Sequence, residues 1–452
     1  MVTDGSGVEK IFEQELSGVL LRALKEAERE HNREPDSCRS KIQVKACGLI
    51  CSVVAALAFC LSAASPIYAA QTVQPALSVR LVTDEPEAVL SILDKRRAGQ
   101  QISEDDWSRL FQSEGYVRLK RRELGMKRPF EDEDFKTFVL SAALLERAPA
   151  LAETLRRWKN ADVSNAARLA LAYLPQGARI SAKIYPEIKP RENSFVYDID
   201  TDPAIFLYLD PQMTKEEFEN HVAHEMHHIG FGTVCPTKKN SDEMARLPAS
   251  AQTALKWLRA FGEGFAMLAA AGGPDVNPHA ASPAGERARW DKDVQNFNDD
   301  LKSLERFFLD VLGDRLTGDE ADAKAATFYG IQGPWYTVGW KMATVIEKTY
   351  GRRKLIECIC DVRELLRTYN RAAVKFNRRS HGKLALWSES LVRGIGRRGR
   401  VPRPGGSTGA KHQGGFGGLP RATQSGDGTR PTPYLPITLT PRPSPNILPQ
   451  TS

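Results

Sequence analysis

A mostly helical α+β protein is the fold this sequence predicts, on three observations. Residues 84–173 carry apolar positions at helical spacing, and residues 179–209 hold three short runs rich in β-branched and aromatic side chains. A strongly capped, histidine-rich helix then begins at Thr214. With 452 residues, 41% hydrophobic and 26% charged, the bulk of the chain is globular, and a mean hydropathy of -0.39 excludes a polytopic membrane protein. The net charge of +7 is local: from Leu391 to Ser452 nine Arg and Lys against the single Asp427 carry +8, leaving the other 390 residues at -1. A groove that tracks phosphates needs its charge in the folded part, so nucleic acid is not an expected partner.

The elements follow in order. Residues 8–31 place Ile11, Phe12, Leu16, Val19, Leu20 and Leu24 on one helical face, so residues 1–45 are expected to hold an amphipathic helix. Residues 46–79 contain no charge; the run 46–64 is small and apolar, with Arg39, Lys41 and Lys45 before it and Pro66 and Ala69-Ala70 after it. That order is the layout of a signal peptide over residues 46–70, and its length also permits an uncleaved membrane anchor at 46–64. Either way the remainder is expected to be exported: periplasmic, secreted, or held to the membrane by that segment.

Residues 71–177 read as a helical N-terminal layer, with starts at Ser103-Glu104-Asp105-Asp106 and at Asp162-Val163-Ser164. After Pro175-Gln176-Gly177 the period changes, and residues 179–184, 194–197 and 204–209 are the expected strands of a catalytic domain over 178–390. From 401 to 452, ten Pro and nine Gly leave too little apolar surface to bury, so residues 391–452 are expected to form a disordered basic tail. Cys38, Cys47, Cys51 and Cys60 sit in or beside the apolar stretch, which leaves Cys235, Cys358 and Cys360 elsewhere. For want of a second Cys pair, Cys358 and Cys360 read as buried or loosely paired thiols rather than half of a metal site.

The chemistry sits on the helix from Thr214. Thr214 and Glu217 form a capping box, and Gly230 is expected to end the helix. At about 100° per residue, Phe218, Val222, Met226 and Ile229 share one face and His221, His224 and His228 the other. His224-Glu225-Met226-His227-His228 has the H-E-x-x-H spacing: two imidazoles one turn apart can reach one Zn²⁺, and the intervening Glu225 can act as general base on its water. A third ligand is needed. Glu263, alone among apolar residues and flanked by Gly262 and Gly264, is the best candidate, because a buried carboxylate asks for a cation and the glycines permit a close approach. Asp242, Glu243 and His279 are the alternatives.

An H-E-x-x-H helix followed some 35 residues later by Glu263-Gly264-Phe265-Ala266 resembles the gluzincin branch of zinc metallopeptidases. More narrowly, residues 194–196, 204–207, 224–230 and 336–342 resemble a bacterial family of zinc-dependent peptidases classed as a domain of unknown function, over roughly residues 81–386. The resemblance implies a zincin-like core, with a small mixed sheet beside the active-site helix and an edge strand that pairs with an extended peptide substrate. Residues 204–209 or 194–197 are expected to supply that edge. It also implies Glu263 as the third ligand and Tyr336 as hydrogen-bond donor to the oxyanion, beside Glu225 as general base. The expected activity is peptide-bond hydrolysis on a peptide or protein substrate. The alternative is a catalytically inactive zincin-like envelope protein that binds metal or a partner.

Overall fold

The structure, a computed structural model, describes residues 76–235, 246–396 and 438–439. The expected N-terminal helix, the signal or anchor segment, Asp242, Glu243 and most of the tail lie outside those residues. Among the described residues no helix is long and apolar enough to cross a membrane.

The fold is α+β, as expected. It opens on a strand, β1 (Leu77–Leu81), where the sequence reading placed the start of a helical layer. The signal was present: Leu77, Val79 and Leu81 alternate with Ser78 and Arg80, the period of a half-buried strand. Six helices follow: α1 (Asp84–Arg97), α2 (Glu104–Phe111), α3 (Glu114–Gly125), α4 (Asp132–Val139), α5 (Ala142–Lys159) and α6 (Val163–Leu171). Both expected starts are capped. The Asp106 carboxylate accepts from the Ser103 amide at 2.9 Å, and Asp162 accepts from the Asn165 amide at 2.8 Å.

The chain then forms β2 (Ile180–Glu187), β3 (Ser194–Tyr197) and β4 (Ala204–Tyr208). The strand order is β1-β2-β4-β3, with β1 and β4 parallel to β2 and β3 antiparallel to β4. β4 is therefore an interior strand with both rows of backbone groups paired, which removes residues 204–209 as a substrate-binding edge. The outer side of β3 pairs with a two-residue strand, β5 (Thr438–Leu439).

After the sheet come α7 (Lys215–Val234), α8 (Ala249–Leu258), a 3₁₀ turn (Arg259–Phe261), α9 (Gly262–Ala271), α10 (Ala284–Gln295), α11 (Phe297–Leu312), α12 (Gly318–Ala326) and α13 (Pro334–Tyr350). The last three helices are α14 (Arg352–Ile359), α15 (Val362–Ser380) and α16 (Glu389–Gly396). The boundary expected at Leu391 falls inside α16, where Leu391 and Ile395 are buried.

One continuous apolar core runs from α1 to α16. Trp158 of α5 stacks on Phe218 of α7 at 4.4 Å, which fixes the helical layer against the back of the histidine helix. The other face of the sheet carries Tyr185, Phe195 and Phe206 in a stack covered by α3, whose Arg122 guanidinium lies 3.8 Å from the Phe195 ring centre.

Candidate metal centre

α7 begins as its sequence demands: Thr214 Oγ1 accepts from the Glu217 amide at 3.1 Å, and Glu217 Oε2 accepts from the Thr214 amide at 3.0 Å. It does not stop at Gly230 but runs on to Val234. Gly230 serves packing instead, since a Cβ there would lie 2.3 Å from Leu174 Cδ1 and 3.0 Å from Ile180 Cγ1. The helix ends at Cys235, which is disulfide-bonded to Cys360, 125 residues away, while Cys358 is a buried free thiol. Cys358 is thus a buried thiol as expected, whereas Cys360, expected as a thiol too, is bonded to Cys235.

Phe218, Val222, Met226 and Ile229 are buried in the core, and His224 and His228 emerge on the opposite face. Against that face packs α9, whose first turn carries Glu263, 3% exposed. Glu263 Oε2 lies 3.2 Å from His224 Nε2 and 3.4 Å from His228 Nε2, and the two Nε2 atoms are 3.2 Å apart. Among the described residues these three side chains are the one group of His, Cys, Asp or Glu that converges in this way. The donor set fits zinc: four ligands held tetrahedrally at about 2.0–2.1 Å sit about 3.3–3.4 Å from one another.

The approach of α9 is set where it crosses α13. A Cβ on Gly264 would lie 2.0 Å from Trp340 N and 2.3 Å from the Gly339 carbonyl carbon, so backbone meets backbone there. Gly262 has no such neighbour within 4 Å. The crossing also brings Tyr336, in the first turn of α13, beside the histidines: its ring centre is 6.3 Å from that of His224, with 23° between the planes.

Burial alone would raise Glu263, yet the His228 and His224 rings hold its carboxyl well below the usual range. The same contact works on His228, where burial favours the neutral ring but the Glu263 charge wins and the pKa rises. Glu225 behaves oppositely. Burial pushes its carboxyl up against the lowering pull of His224 and His228, and neither of its oxygens has a hydrogen-bond partner among the described residues. Burial, then Glu263 and Glu225, push the Tyr336 phenol well above its ordinary value, so its proton is available for donation.

A small pocket adjoins the cluster, lined among others by Asn220, His221, His224, His279, Gln332 and Tyr336. His221 therefore faces the site without joining the three donors. His279 likewise is not part of the trio, because its Nδ1 is turned to Ser282 Oγ at 3.0 Å. His227, to which the sequence assigns no role, is buried on α7 and held down to about 3 by desolvation and by the neighbouring His228 and His224 rings.

The architecture and this donor set define the class: an α+β protein with a buried His-His-Glu centre suited to a divalent metal. The comparison with known families is specific. The chain belongs to the family described as "Putative zinc dependent peptidase (DUF5700)", which matches residues 99–378 and so includes the whole cluster. No curated protein and no solved structure matches.

Proposed function

We propose that this protein is an exported zinc metallopeptidase of gluzincin type, in which His224, His228 and Glu263 hold the metal, Glu225 is the general base and Tyr336 a hydrogen-bond donor to the substrate. The observation that carries the reading is the convergence of three donors at 3.2–3.4 Å beside a buried carboxylate with no partner of its own. Zinc, when bound, lowers the pKa of a water and polarises a carbonyl oxygen. Glu225 takes a proton from the water as its oxygen attacks the scissile carbonyl carbon. Glu225 then passes that proton to the leaving amine as the C–N bond breaks. Tyr336 donates its phenolic hydrogen to the carbonyl oxygen while negative charge builds there.

Export is supported by the Cys235–Cys360 disulfide, since such bonds persist mainly in oxidising compartments, and by the signal-like layout of residues 46–70. Two variants test the enzymatic reading. Glu225→Gln is expected to keep zinc and fold while losing about 10²–10⁴-fold in turnover of a peptide library. Glu263→Gln is expected to lose zinc as well, because a neutral amide is the poorer ligand. An active Glu225→Gln protein, or a zinc-loaded wild type that cleaves nothing, refutes the proposal.

A further inference from the structure

His279 is a buried polar group that the mechanism above does not use. It sits in the connector between α9 and α10, 4% exposed, and both its main chain and its ring are held. Its main-chain amide donates to Asn277 Oδ1 at 2.8 Å, and Asn277 is tied in turn to Asp291. Its ring centre lies 5.1 Å from that of Trp290. Its Nδ1 pairs with Ser282 Oγ. Nε2 is buried with no hydrogen-bond partner among the described residues, although the ring lines the same pocket as His224 and Tyr336. Leaving such a group unpaired is ordinarily costly, and a residue present only for packing need not carry it.

The same pocket shows a second oddity. Gln332 lines the pocket with a left-handed backbone at φ 59°, between Gly330 at φ 46° and Gly333. A non-glycine residue there carries local strain, which is a common mark of a functional wall. Gln332 approaches the His279 ring without giving Nε2 a hydrogen bond of acceptable geometry.

We infer that His279 is a substrate-contacting residue, whose Nε2–H donates to a backbone carbonyl oxygen of the peptide bound beside His224. The inference rests on the peptidase reading and adds to it a residue that holds the peptide. The proposed contact uses the tautomer in which the Ser282 hydroxyl donates to Nδ1 and the ring proton sits on Nε2. Burial and the charge of Arg289 hold the imidazole down to about 4, so near neutral pH the ring is an uncharged donor. That is the form suited to an amide carbonyl in a site that, on the peptidase reading, would also hold a cation.

The test uses a random hexapeptide library to find the best-cleaved peptide, then calorimetric binding of that peptide to zinc-loaded Glu225→Gln protein, which does not consume it. Adding His279→Ala is expected to weaken binding about tenfold. In the otherwise wild-type enzyme the same change is expected to raise KM more than it lowers kcat, with zinc content unchanged. His279→Gln, whose amide can still donate, is expected to recover part of the affinity. If the wild type cleaves no library peptide, the peptidase reading fails and this inference with it. If it cleaves, and His279→Ala binds peptide as tightly as its parent, the inference alone is overturned. Loss of zinc or of several degrees of melting temperature in both His279 variants also overturns it, because it shows a structural role.

Discussion

The crossing of α9 and α13 yields a sharp test of how the metal centre is positioned. Gly264→Ala adds one methyl group where the nearest atoms, Trp340 N and the Gly339 carbonyl carbon, are at 2.0 and 2.3 Å. Comfortable contact requires about 3.5 Å, so the helices must part by about 1.5 Å or deform. Overpacking of this kind costs about 1–3 kcal/mol and sometimes more, while Ala regains about 1 kcal/mol of helix propensity over Gly. The expected net loss of stability is modest, about 0–2 kcal/mol. The effect on the site is larger in proportion, because metal ligands tolerate only about 0.2 Å of displacement and Glu263 is the preceding residue. Gly262→Ala is the control, since no atom lies within 4 Å and its φ of -53° suits any residue; it should be neutral or stabilising by up to about 1 kcal/mol. Zinc content by elemental analysis and thermal unfolding of both variants decide the matter. If Gly264→Ala retains zinc and melts as high as Gly262→Ala, the claim that this backbone contact sets the centre is wrong.

Three other outcomes are expected. His224→Ala or His228→Ala should each strip zinc from the purified protein, and elemental analysis finding the metal retained in both would remove the proposed ligands. Cys235→Ser opens a bridge spanning 125 residues and should destabilise by about 2–5 kcal/mol, read as a lower melting temperature that reductant reproduces in the wild type. Glu187 at the end of β2 is fully buried with both oxygens unpaired; burial and the neighbouring Glu85 push its carboxyl well above the usual range. A folded pKa above the unfolded one gives stability that is present at low pH and lost as pH rises through the folded value. Glu187→Gln should therefore gain melting temperature over wild type at pH 8 relative to pH 4, and parallel pH profiles would count against it.

Much of this was legible in the sequence where the cause is local. The capping box at Thr214, the apolar back face of α7 and the three strands after Gly177 all rest on residues close together in the chain. Where one residue type serves two purposes, the sequence is ambiguous. Gly230 reads as a helix stop, but only the positions of Leu174 and Ile180 reveal that it is a packing glycine in a continuing helix. The flanking pair Gly262 and Gly264 invited one explanation, and only Gly264 has a backbone against it. The pairing of Cys235 with Cys360 could not be read from spacing, because it depends on where α14 folds back against the end of α7. β1 was missed because its alternating residues continue an uncharged stretch that had already been given another reading.

The two carboxylates of the candidate centre show how one buried environment can prepare the same group for different work. Desolvation acts on Glu225 and Glu263 alike and favours the neutral acid in both. The difference lies in how they meet the imidazoles. Glu225 neighbours His224 on one helix, so its side chain leaves the axis about 100° away and its oxygens make no contact with either Nε2. Glu263 arrives from a second helix pointing at the histidine face, and its Oε2 is within 3.4 Å of both rings. Contact at that distance in a dry site outweighs desolvation, so Glu263 is kept as an anion while Glu225 is left readier to hold a proton. On the proposed assignment, the carboxylate in contact with both rings is the ligand and the one standing clear of them is the base. The division follows from two helices supplying one carboxylate each.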